Sequence, residues 1–142
     1  MSPSKRLRPV QRFAHSKEQT AARSMGAARR NLEQEEAKLQ QLKVYHQEYL
    51  DRFQTLAAEG ISAAQLQEYR AFLAKLDEAI RQQEQIVAAS TVNHNSHKDN
   101  WKQKHSRTQA LNKVVDRYER QEQQSADRQE QKENDDLNQS RS

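Results

Sequence analysis

Ala57-Ala58-Glu59-Gly60-Ile61-Ser62-Ala63-Ala64-Gln65 is the stretch whose reading decides the fold. Gly60 is one of only two glycines, and it follows a long apolar-periodic run, where a residue free to turn left-handed ends a helix. Ser62 and Gln65 stand at capping-box spacing, in which hydroxyl and side-chain amide satisfy each other's backbone donors at a helix start. A stop, a short turn and a start between two periodic runs predict a helical hairpin turning near residues 58–62. The numbers of facing residues on its two arms then add up to about 121.

The runs on either side carry one seam. Leu7, Ala14, Ala21, Ala28, Glu35, Leu42, Tyr49 and Leu56 form a row seven apart, and Glu18, Met25, Leu32, Leu39, His46 and Phe53 a second row offset by four. That is a heptad pattern, bulky from Leu32 to Leu56 and alanine-rich from Ala14 to Ala28, with Glu35 as a polar defect. Beyond the turn Leu66, Tyr69, Leu73, Leu76, Ile80, Gln83 and Val87 continue it. After a weak polar stretch from Ser90 to His97 the register returns at Trp101, Thr108, Leu111, Val115 and Tyr118. The expected fold is all-α: a long antiparallel two-helix coiled coil over 1–120, with arms at about 5–58 and 62–120. From 121 to 142 only Ala126 and Leu137 are apolar, so a polar tail is expected there, partly helical or disordered. Seam patterns specify orientation poorly, and a parallel homodimer of bent hairpins is also compatible.

Composition narrows the function. Hydrophobic residues are only 33% of the chain, too few for an ordinary compact core, while 24 basic and 20 acidic side chains are interleaved. Proline occurs only at positions 3 and 9, leaving Val10 onward free of helix breakers. Without cysteine there are no disulfides, thiol nucleophiles or thiolate-held metals, which fits a reducing compartment. No apolar run approaches the length of a signal or membrane-spanning segment. Lys5, Arg6, Arg8, Arg12 and Lys17 precede the first acid, Glu18, as in a transit peptide, but two prolines and little apolar content argue against that reading.

No nucleophile and base pair, phosphate-cradling glycine loop or carboxylate pair in a cleft is legible, so no enzyme and no cofactor are expected. His94, His97 and His105 share part of a helix face, but without a carboxylate at ligand position they read as solvated histidines rather than a metal site. Acids spread throughout and a net charge of only +4 count against nucleic-acid binding despite a pI of ≈ 9.4. The aromatic residues are more informative. Tyr45 and Phe72 stand one position before the seam residues His46 and Leu73, outside the buried line. The hairpin register brings them together with Tyr49 and Leu76, flanked by Leu42 and Ala79. Exposed aromatics on a two-helix pair read as a partner-binding patch, whereas Leu42, Tyr49 and Leu76 also serve the seam.

Leu42-x-x-Tyr45-x-x-Glu48-Tyr49, Gly60-Ile61, Tyr69-x-x-Phe72, Leu76-x-x-Ala79-Ile80 and the later Trp101 resemble the flagellar export protein FliJ family. The resemblance spans about residues 7–120 and is strongest from 39 to 80. It implies a coiled-coil stalk of the flagellar type III export apparatus, cytoplasmic and peripheral on the inner membrane, needed for flagellum assembly and motility and not itself a hydrolase. Implied partners are the export ATPase FliI, whose ring the stalk would enter and activate, the export gate protein FlhA, FliH and the export chaperones; membrane contact would be indirect. By position the gate surface falls on Leu42, Tyr45, Tyr49, Phe72, Leu76 and Ala79, with Lys38 and Gln83 departing from the family pattern at its edges. The ATPase contact falls on the basic end, with Arg6, Arg8, Arg12, Arg117 and Arg120. A generic coiled-coil scaffold or membrane-surface adaptor is the alternative.

Overall fold

The structure, a computed structural model, describes residues 1–141. It consists of α1 (Pro3–Glu59) and α2 (Ala63–Arg141), packed against each other as a hairpin. The expected all-α hairpin is what the chain forms, and its turn shows why. Gly60 has φ of 97°, and its N–H donates to the Leu56 carbonyl at 3.0 Å, which closes α1 with a left-handed cap. Ser62 then opens α2. Its N–H donates to Gln65 Oε1 and its Oγ accepts from the Gln65 N–H, both at 3.2 Å. Ile61 and Leu66, both half-buried, occupy the two positions of a hydrophobic staple around that cap.

By packing, the chain divides into two units, Ser24–Lys98 and Met1–Arg23 with the chain from Asp99 onward. In the first, Tyr49 lies against Phe72 and Asn31 donates to Ser90 at 3.3 Å, both at the expected register. Leu76, Gln83 and Ser90 are buried along α2, and Ala28 is buried on α1's seam row. Glu35, the polar seam residue, is answered across the pair. Gln83 Nε2 donates to its carbonyl at 2.9 Å and to its carboxylate at 2.6 Å. These bonds, Gln83's first among them, hold the Glu35 carboxyl below the usual range, with Lys38 adding to the effect.

In the second unit the buried line is Ser4, Ala14 and Ala21 from α1 with Thr108 and Val115 from α2. The pairing has drifted from that set at the turn: Glu18 meets His105, Gln11 meets Asn112, and Ser4 meets Glu122 rather than Arg117. Register set at one end accumulates small differences in winding along a long helix pair. Side chains leaning toward their own helix N-terminus shift antiparallel contacts in the same sense.

Both helix boundaries extend past expectation. Ser2 Oγ caps α1 by accepting from the Lys5 N–H at 3.4 Å, Pro3 takes the first helical position, and Pro9 is carried inside the helix. Near Pro9 the helix is also held to α2: Glu122 accepts from the Ser4 N–H at 3.1 Å and Oγ at 2.6 Å, and Arg8 approaches Glu119 at 3.5 Å. The polar stretch from Ser90 to His97 is unbroken helix. The segment from 121, expected to be partly helical or disordered, is helix through Arg141; Ser142 lies outside the described residues. Bonds from Gln123 to Asp127, Gln129 to Glu133 and Gln131 to Asp135 at i,i+4 support a tail with no glycine or proline.

Candidate functional site

Helical spacing places Tyr45, Tyr49 and Phe53 one turn apart on α1, and Tyr69 and Phe72 one turn apart on α2. The rings form one continuous cluster. Tyr49 is its centre, with its centroid 4.2 Å from Phe72 and 5.1 Å from Tyr69. Tyr45 meets Phe72 edge-on at 6.0 Å and Tyr49 at 6.2 Å, while Phe53 closes the row against Tyr69 at 5.7 Å. Three of the four tyrosines and two of the three phenylalanines are gathered here. Offset and edge-on pairs in this distance range add stability beyond the area they bury, so the rings brace one another.

Its residues are not equally available. Tyr45 is 47% exposed, Leu42, Tyr49, Phe72 and Ala79 are half-buried, and Leu76 at 7% is enclosed between the helices. Leu76 therefore supports the others from beneath. Val44, as exposed as Tyr45, lines with Leu42, Tyr45, Lys38, Gln41, Glu48 and Gln83 an open groove of ≈ 540 Å³. Val44 was not singled out by spacing, although its position next to Tyr45 off the seam is a readable signal. Below the cluster, His46 Nε2 lies 2.8 Å from Asp77 Oδ1 and ties the helices together.

The basic end is built differently. Arg6 lines a groove with Pro3, Leu7 and Tyr118. Arg117 and Arg120 line another on α2 with Lys113, Asp116, Gln121 and Gln124. Arg8 is engaged by Glu119 in an exposed pair, and Arg12 is exposed. Such an exposed pair is worth at most about 1 kcal/mol, so this surface remains a positive field. His105 is engaged across the pair: its Nδ1 is 2.5 Å from Glu18 Oε1, and Trp101 stacks on its ring at 4.9 Å. That bond, ahead of weaker help from Thr108, holds the Glu18 carboxyl below the usual range. Among the described residues no group of three or more metal-ligating side chains occurs, and no helix is long and apolar enough to cross a membrane.

The fold has a counterpart among solved structures. A protein described as a YscO homologue, CT670 from Chlamydia trachomatis, superposes with a TM-score of 0.61 at 17% identity, covering 94% of this chain and 91% of that one, a likeness of fold. No curated protein matches the sequence. The family model described as flagellar FliJ protein matches residues 3–142, virtually the whole chain, including the aromatic cluster and the basic end. The chain therefore belongs to the FliJ family, coiled-coil components of the flagellar type III export machinery.

Proposed function

We propose that this protein is a non-catalytic stalk that binds the export ATPase FliI through its basic end and the export gate protein FlhA through the aromatic patch. The observation that carries this reading is the contrast between the two surfaces. The aromatic cluster is preorganised by ring contacts, with Tyr45 left 47% open. The basic end offers exposed guanidinium groups. An aromatic patch braced by ring contacts suits a specific contact, and an exposed positive field suits an acidic ring lining. A stalk that binds one state of the ring better than others shifts the ring toward that state, which is how a protein without catalytic groups raises an ATPase rate. FliH and export chaperones join the same assembly, and contact with the inner membrane is peripheral, through the gate.

Two measurements test the two surfaces separately. Tyr45→Ala with Phe72→Ala abolishes gate binding and leaves helical circular dichroism and ATPase binding nearly intact. Loss of helicity would show that the rings only pack the hairpin. Stimulation of purified export ATPase is strong with the full chain and fades on removal of residues 1–12 or on addition of salt. An unchanged ATPase rate and unchanged ring assembly with the full chain would refute the stalk reading.

A further inference from the structure

Phe13 is 61% exposed and Val10 41%, although α1 and α2 run side by side at that level. Phe13 stands one position before the seam residue Ala14, the offset that leaves Tyr45 outside the seam elsewhere on α1. Together with Ala14, Lys17, Lys104 and Arg107, Phe13 and Val10 line a small cleft between the two helices. Every charged side chain lining it is a cation, and none of the three forms an ion pair among the described residues. Lys17 Nζ stands 4.7 Å from the Phe13 ring centroid. Glu18, the acid next in sequence, is turned away into the seam and taken by His105. The cleft thus joins a largely exposed ring, with the Lys17 ammonium over its face, to three cations on two helices that form no ion pair among the described residues.

We propose that this cleft docks a segment of a partner protein in which one apolar side chain is bracketed by carboxylates. The apolar side chain packs on Phe13 and Val10, and the carboxylates pair with Lys17, Lys104 and Arg107. Charge complementarity sets the sign of the partner, and the exposed ring demands more than charge, because solvated cations alone need no aromatic beside them. Phe13 and Val10 are the two exposed large apolar side chains here, a narrow anchor that favours a protein segment over a lipid surface, where a broad apolar face would be presented. The inference rests on the reading that this end of the chain meets the export ATPase, and it assigns to that contact an apolar anchor lying outside the arginine cluster.

The test is binding of the full chain to purified export ATPase across a salt series, for the wild type, Phe13→Ala, Phe13→Leu, and Lys104→Ala with Arg107→Ala. Helicity is checked for each, and Phe13 is exposed enough for the fold to survive its loss. Phe13→Ala weakens binding about tenfold or more at every salt concentration without changing the salt slope, and Phe13→Leu retains most of the affinity. The cation variant flattens the slope. Wild-type binding with Phe13→Ala unaffected would overturn the anchor and leave the ATPase reading standing. No wild-type binding would overturn both. Phe13-dependent binding to phosphatidylserine vesicles, with ATPase binding indifferent to Phe13, would replace the protein partner by a membrane.

Discussion

Gly60 shows how much a single residue contributes here through its backbone alone. A Cβ built on it meets nothing within 4 Å, so only its φ of 97° resists substitution. Gly60→Ala therefore costs about 1–2 kcal/mol, whereas D-alanine at the same position, which prefers that φ, stabilises the hairpin. Thermal unfolding of the two variants checks both signs. Glu35 and Gln83 make the complementary point about side chains. Gln83→Leu removes the donor from a half-buried carboxylate and lowers the melting temperature, and adding Glu35→Leu recovers the loss, because an apolar pair leaves nothing unsatisfied. A double-mutant cycle reads that coupling. Position-by-position spacing marked Glu35 as a defect and Gln83 as a seam residue, but it held no sign that they answer each other.

Among the elements, α1 carries its weakness near its start. Pro9 is exposed and inside the helix, so it packs little and removes one hydrogen-bond donor. Pro9→Ala should raise stability by about 1–3 kcal/mol, seen as a higher melting temperature and slower amide exchange in residues 3–12. In α2 the weak propensity of Ser90 to His97 is overridden. Thr91 Oγ1 donates to the Val87 carbonyl at 2.8 Å, and Ser90 is buried against α1 with Asn31 as donor. Propensity is a local average, and the packing of one face outweighs it. The stop of α1 and the start of α2 at the turn were legible because their caps are written in adjacent residues. The helical tail was not, since its support comes from glutamine and acid pairs that spacing alone does not distinguish from solvated sequence.

For the whole molecule, acid is the telling condition. Glu18, Glu35 and Glu122 all have carboxyl pKa values below the usual range, Glu122 chiefly through its bond from the Ser4 hydroxyl. A group with a lowered folded pKa binds fewer protons folded than unfolded, so its contribution is fully present above the ordinary Glu value of about 4.3 and is lost as pH falls through the folded pKa. The melting temperature should hold from pH 7 to about 5 and fall below about 4.3, less steeply when Glu18, Glu35 and Glu122 are all replaced by Gln. Thermal scans across pH measure this directly. The sequence by itself determined the two helices, the turn between them, the seam and the convergence of Tyr45, Tyr49, Phe72 and Leu76, because helix caps and a seven-residue repeat act within a few residues of chain. Only the tertiary structure decided that Tyr45 is open while Leu76 is enclosed, that Gln83 satisfies Glu35, that His105 belongs to Glu18, and that Phe13 shares a cleft with Lys17, Lys104 and Arg107. Those outcomes depend on register carried far from the turn and on how individual side chains meet across two helices, and neither quantity is local in sequence.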